Sequence, residues 1–315
     1  MKTQLWPCLL AAAALFGSDS STTAQSAITI EQTTTNLTVC YQGRKMMVYR
    51  FAPGQFKPYV GELFTITGQP VLRDSPSDHV HHHGLMFAIK ANGVNFWEET
   101  PGCGFERPVK ITQVQSSANN PGTAQAGFTQ LIHWVAAADK DTADTTACAL
   151  LEEERTLTLV VDESKQEVSV LWESSFKVGA KAQEVVLTGA NYHGLGLRFP
   201  QDLDPVASHL NAKGPVDNSG SRQDISQARW SAVLFNADAK PRTVAVFGDP
   251  DNARGNPFFF TMLKPFSYLS ATQQLDQKEL RYQRGDSFKL KFLVAAYPDI
   301  RSGEFLNQRS AAWKH

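Results

Sequence analysis

From Leu37 to Tyr297 the sequence is a succession of short β-branched and aromatic runs broken by turn residues, with no sustained helical period between them. Leu37–Tyr41 and Met46–Phe51 flank Gln42-Gly43. Leu85–Ile89 and Val94–Trp97 flank Asn92-Gly93, a strong hairpin signal because both residues accept the positive φ of a type I′ turn. Arg155–Val161 and Val168–Phe176 alternate polar and apolar residues across a turn at Asp162–Gln166, as strands with one buried face do. Further strands are predicted at Tyr59–Thr67, Ile111–Gln115, Phe128–Val135, Val185–Thr188, Leu195–Phe199, Ser231–Phe235, Thr243–Phe247, Phe258–Leu263, Tyr268–Ala271 and Phe288–Tyr297. Gln25–Asn36 reads as a polar leader, Gln201–Arg229 as a long loop, and Pro298–Ala312 as the one helix. Strands do not alternate with helices, which argues against a parallel α/β fold. The expectation is an all-β protein: one large antiparallel sandwich over residues 25–315 with a short C-terminal helix.

Such a sandwich needs a large core, and 42% apolar residues with six Trp and nineteen Phe supply one. Lys plus Arg (30) and Asp plus Glu (31) nearly cancel, so nucleic acid and anionic membrane are not expected partners. Residues 1–24 have the form of an export signal: Lys2, an apolar run from Leu5 to Phe16, and Thr22-Thr23-Ala24 as the cleavage site. A secreted or periplasmic protein is expected, and no later segment is apolar enough to span a membrane. Cys40, Cys103 and Cys148 then allow one disulfide and a free thiol, or three thiols packed as small hydrophobes. Their spacing does not suggest a structural zinc site.

Chemistry concentrates between Arg73 and Glu99. Four of the eight histidines (His79, His81, His82, His83) fall in five residues, preceded by Asp74 and Asp78. Imidazole titrates, shuttles protons and binds metals near neutral pH. If Asp78–His83 is extended, His79, His81 and His83 share one face. His81 or His82 could serve as general acid or base, with His193 and Glu98 as partners. Alternatively His79 and His81, with His193, could hold a divalent metal such as zinc. The plainer reading has the rings capping strand ends. Arg73 and Asp78 sit at the head of this stretch, and Trp97 offers an aromatic platform for a sugar ring beside Glu98. Arg198, in a glycine-punctuated segment after His193, could clamp a carboxylate or hydroxyls. The tight loop Asp249-Pro250-Asp251-Asn252-Ala253-Arg254 adds Asp249, Asn252 and Arg254 as hydrogen-bonding groups, although turn chemistry explains most of its composition.

Together these stretches resemble the PmoA-like family of exported bacterial domains of unknown function. The resemblance rests on Lys57-Pro58-Tyr59, Arg73-Asp74, Asp78-His79-x-His81-His82-x-Gly84-Leu85, Asn92-Gly93-x-x-Phe96-Trp97, Glu154-Arg155, Gly194-Leu195-Gly196-Leu197-Arg198 and Asp249-Pro250-x-Asn252-x-Arg254. Val80 and His83 depart from the pattern, so His83 is not expected to share a family-wide role. The resemblance implies a galactose mutarotase-like supersandwich and a small carbohydrate or keto-sugar derivative as ligand. Methane oxidation is not expected, because no spanning segment follows the signal. Architecture does not fix reaction. A carbohydrate-active hydrolase, lyase or epimerase, a non-catalytic sugar-binding protein and a metal-dependent enzyme all remain open.

Overall fold

The computed structural model of the protein describes residues 27–120, 122–218 and 223–313. The export signal expected over residues 1–24 lies outside them. Two nine-stranded antiparallel sheets make up most of the chain. The first runs, edge to edge, Ile28–Gln32, Asn36–Tyr41, Arg44–Arg50, Tyr59–Leu63, Leu85–Ala88, Gly194–Arg198, Tyr268–Thr272, Phe258–Met262, Gln223–Gln227. The second runs Gly214–Pro215, Ala207–Asn211, Trp230–Phe235, Arg242–Gly248, Ser287–Tyr297, Glu167–Val178, Leu151–Asp162, Thr123–Val135, Phe105–Asn120. A small third sheet joins Leu280–Gln283, Glu184–Thr188, Lys90–Ala91 and Val94–Asn95. This is the antiparallel sandwich expected from the sequence.

The alternation read in the sequence is what closes it. Along Leu151–Asp162 every second residue from Leu151 to Val161 is buried, and the partners on Glu167–Val178 keep that register without a slip. One continuous core includes Tyr49, Phe87, Trp134, Trp172 and Phe176 from both sheets. Arg155 crosses the interface with no exposed surface. It donates to Glu153 and Glu106 of its own sheet and to the Pro58 carbonyl beside the first sheet. Tyr49 donates to Gln130 across the same gap at 2.5 Å. Burying an arginine is tolerated only when its donors are met in this way.

Four expectations need correction. Gln25–Asn36 is not a leader: Ile28–Gln32 pairs with Asn36–Tyr41, since Ile28 and Ile30 give it an apolar face. The 201–229 stretch is not one loop. It holds a 3-10 turn at Gln201–Val206 and strands at Ala207–Asn211, Gly214–Pro215 and Gln223–Gln227, short strands with few apolar residues to mark them, of which the last two are sheet edges. Ile111–Gln115 is the middle of a longer strand, Phe105–Asn120, broken by register shifts. The helix starts at Gly303, capped by the Ser302 hydroxyl accepting from the Phe305 amide, so Pro298 lies before it. Both hairpin signals hold: Asn92 and Gly93, and Gln42 and Gly43, all have positive φ. Cys40, Cys103 and Cys148 are free, and only Cys103 is buried. Among the described residues no helix is long and apolar enough to cross a membrane.

Candidate active or binding hollow

The histidine stretch is not extended. His79 N donates to Pro76 O, and His82 N to His79 O, which makes two successive turns. Ser75 closes them, its amide donating to His82 O and its hydroxyl to Val80 O at 2.7 Å. The turns put His79, His81 and His82 on one side, throw Val80 into solvent and send His83 back toward Asp74. A period-two reading could not foresee this, because Ser75 and the Pro76 carbonyl bond within the turns, and Asp74 and Asp78 bond to side chains, instead of to a neighbouring strand.

Below the turns lies one face of the first sheet. Registers place Gly196 and Arg198, Tyr268 and Ser270, and Phe260 and Met262 side by side on it, while Leu195, Leu197, Leu269 and Ala271 point the other way. Gly196 is needed there: a Cβ would sit 2.1 Å from the Tyr268 hydroxyl and 2.9 Å from the Trp97 ring. A hollow of about 460 Å³ opens between this face and the turns, lined by His79, His81, His82, Glu98 and Gln223, with Tyr192, Phe260, Met262, Phe266 and Tyr268 as walls. His79 stacks on His82 with ring centroids 4.7 Å apart, His81 meets His82 edge-on at 4.6 Å, and His82 lies over Tyr268 at 5.2 Å.

His81 and His82 are neutral near pH 7. Burial, then the charges of Lys57 and His79, pulls His81 down to about 4. Burial and the neighbouring His81 pull His82 down to about 2. No hydrogen bond to a described residue engages the His81 ring, and His82 Nδ1 is buried without a partner. Glu98 is half-buried, accepts from the Asn95 amide group and pairs with no described cation.

His193 stays out of the hollow. It is 1% exposed and stacks at 4.9 Å on Trp97, which itself stands edge-on to His82. Burial and then Lys90 hold its pKa down to about 3. It therefore cannot touch a ligand alongside His81. Trp97 is fully buried, so the exposed sugar platform is also corrected: the ring separates His193 from His82. The metal reading fails geometrically as well. His79 and His82 face each other ring to ring, His193 is behind Trp97, and among the described residues no group of three or more His, Cys, Asp or Glu could hold an ion.

The remaining candidates scatter. Asp78 is exposed and binds both Arg198 Nη2 at 3.0 Å and the His79 ring at 3.1 Å, bracing the first turn. Arg198 lies under Phe266, 3.3 Å from the ring centroid, and does not line the hollow. Arg73 donates to Gln201. Arg254 donates to the carbonyls of Gln273, Gln274, Lys278 and Glu279, clamping a loop. Asn252 pairs through its amide with the backbone of Lys291. Asp249 and Asn252 border a separate polar hollow of about 400 Å³ on the outer face of the second sheet. None of these three meets the histidines.

Sequence reasoning missed the aromatic walls Phe260, Phe266 and Tyr268, whose only signal was a run of aromatics around Pro265. It also missed the buried ion network behind the turns. His83 Nδ1 lies 2.7 Å from Asp74 Oδ1 and Nε2 2.8 Å from Glu99 Oε1, with its ring stacked on Tyr59. Lys57, fully buried, donates to Glu99 and to Trp97 O.

A family profile matches residues 36–310. The chain belongs to DUF6807, a family of unknown function. The match does not carry the PmoA-like name. No curated protein matches this DUF6807 chain. Solved structures similar to it include the GH36 alpha-galactosidase AgaB from Geobacillus stearothermophilus, at 13% identity and TM-score 0.49, covering 87% of this chain and 41% of that one. An alpha-galactosidase from Lactobacillus brevis is similar at 7% identity and TM-score 0.44, with 86% and 39% covered. A glycoside hydrolase family 97 enzyme from Pseudoalteromonas sp. strain K8 is similar at 5% identity and TM-score 0.41, with 85% and 33% covered. The chain thus spans between 33% and 41% of the length of these three proteins.

Proposed function

We propose that this DUF6807 protein binds a small carbohydrate or sugar derivative in the hollow between the histidine turns and the outer face of the first sheet. One observation carries the reading. Three imidazoles, those of His81 and His82 neutral, and the Glu98 carboxylate converge over aromatic walls in a space of about 460 Å³, which suits one or two sugar rings. Neutral imidazole both donates and accepts, as a hydroxyl requires, and carboxylates accept from hydroxyl pairs. Phe266 and Tyr268 offer apolar ring contacts. Arg73 and Arg198 are engaged elsewhere, so the carboxylate clamp foreseen for Arg198 forms no part of this reading.

Calorimetric titration with a panel of monosaccharides, disaccharides and keto-sugars tests it. Binding by at least one member, weakened at least about tenfold in His81→Ala, supports the proposal. No binding by any member at millimolar concentration, or binding indifferent to His81, overturns it.

Catalysis is a second reading, favoured by an imidazole and a carboxylate lining the same hollow. His81, depressed to about 4, is a weak base at neutral pH, since general bases work best with a pKa near the operating pH. Product formation from a panel member that binds, lost in Glu98→Gln with binding retained, would establish turnover. We propose in addition that residues 1–24 act as an export signal, which would put this site outside the cytoplasm; a mature chain beginning at Gln25 on N-terminal sequencing is the expected result.

A further inference from the structure

His83 lies outside the hollow, yet it touches the supports of both its sides. Its Nδ1 is 2.7 Å from Asp74, which opens the histidine turns, and its Nε2 is 2.8 Å from Glu99, which follows Trp97 and Glu98. Both contacts are to carboxylate oxygens, which can only accept. Each ring nitrogen must therefore donate, and the imidazolium is the one form of histidine with two N–H groups. A neutral ring in the same place would turn one lone pair toward a carboxylate.

The surroundings favour the charged form. Asp74 also receives Arg50 and the Tyr59 hydroxyl, each at 3.1 Å. Glu99 also receives Lys57 at 2.7 Å, and Lys57 holds Trp97 O. The Ser75 hydroxyl lies 3.3 Å from Nδ1, and the Tyr59 ring covers one face at 3.8 Å. Burial pulls the His83 pKa down, but the bonds to Asp74 and Glu99 outweigh both burial and the repulsion from Lys57, and the value is raised above 6.5. His81 also feels the His83 charge.

We propose that His83 is a positioning residue whose imidazolium ties the His79–His82 turns to the Trp97–Glu99 segment and so sets the spacing of the imidazoles and Glu98 across the hollow. Loss of one proton takes the His83 donor away from Asp74 or from Glu99, which are then held only by their partners on their own side, Arg50 and Tyr59 or Lys57. The tie then opens on one side, and the two walls move independently. The inference concerns the shape of the hollow and does not depend on which molecule occupies it.

Diethyl pyrocarbonate acylates accessible neutral imidazole, and His81 is neutral throughout the relevant range, so its modification rate reports how open the hollow is. Peptide mass spectrometry separates His81 from His79. As pH rises from about 6 to about 10, spanning the titration of a raised imidazole, the His81 rate should climb several-fold in one step. His83→Gln, which keeps one donor and one acceptor, should show the fast rate at neutral pH and no step. Nitrogen-15 spectra of the wild-type protein should show both His83 nitrogens protonated at pH 7. A flat wild-type profile, a variant profile matching wild type, or a neutral His83 at pH 7 overturns the inference. Should His83→Gln fail to fold, the wild-type profile and the spectra decide it alone.

Discussion

His81 and His82 are neighbours in sequence with different work to do. His81 is half-exposed and makes only ring contacts with His79 and His82, so removing it deletes ligand contacts and little packing. His82 is 7% exposed and packs against Tyr268, Phe266 and Trp97. His81→Ala should therefore weaken sugar binding at least about tenfold, as loss of one or two good hydrogen bonds does, while changing stability by under about 0.5 kcal/mol. His82→Ala should lose binding and about 1–3 kcal/mol of stability, as an aromatic removed from a packed site does. Titration calorimetry beside urea denaturation separates the two, and equal stability losses would refute the division of labour. Binding should also be flat from about pH 5 to about 6.5, because an imidazole at about 4 gains few protons there and His83 keeps its charge. A break near 6.5 would mean that the ring is ordinary.

At the scale of elements, the site is two loops held against one sheet. The network from Arg50 through Asp74, His83 and Glu99 to Lys57 joins loops that are separated by the whole Leu85–Asn95 hairpin region. Breaking a buried ionic network by deleting one member typically costs about 3–5 kcal/mol. Asp74 and Glu99 retain Arg50 and Lys57, so His83→Ala should fall near the lower figure in urea denaturation. A double-mutant cycle with Glu99→Ala should show coupling of about 1–3 kcal/mol; additive losses would mean that the loops are not linked through this pair. The sequence displayed the parts of this network but not the links. Strand pairing was legible because alternation and Asn-Gly turns are local, as at Asn92-Gly93 and along Leu151–Asp162. The histidine cluster was legible as composition, and Glu98 as a carboxylate near an aromatic. That Trp97 would separate His193 from His82, or that Phe266 would cover Arg198, depends on which strands become neighbours across long sequence separations. No spacing rule encodes that.

The whole molecule sums its buried titratable groups into one stability profile. His81, His82, His193 and His209 are held at about 4, 2, 3 and 4, each first by burial. Their unfolded values lie near 6.5, so between pH 6.5 and about 4 the unfolded chain binds more protons than the native one, and stability falls as pH falls. Four such groups set a ceiling of about 5 kcal/mol per pH unit, reduced by the exposed part of His81. Glu99, driven to about 2 despite its burial, mainly by His83 and Lys57, extends the loss below pH 4.5. Two groups act in the opposite sense. Burial pushes Glu106 up to about 8, so its contribution is lost as pH rises from 4.5 toward 8. The raised His83 contributes fully below 6.5 and loses that contribution as pH climbs through its folded value. Several protons on the acid side against two on the alkaline side predict a melting temperature that peaks near about pH 6.5–7. It should fall steeply toward pH 5 and gently toward pH 9. Calorimetric melts across that range check the shape: a peak at pH 5, or a flat profile from 5 to 7, would mean that the imidazoles are not held neutral in the fold. The hollow, which depends on neutral His81 and charged His83 together, would then lose its physical basis.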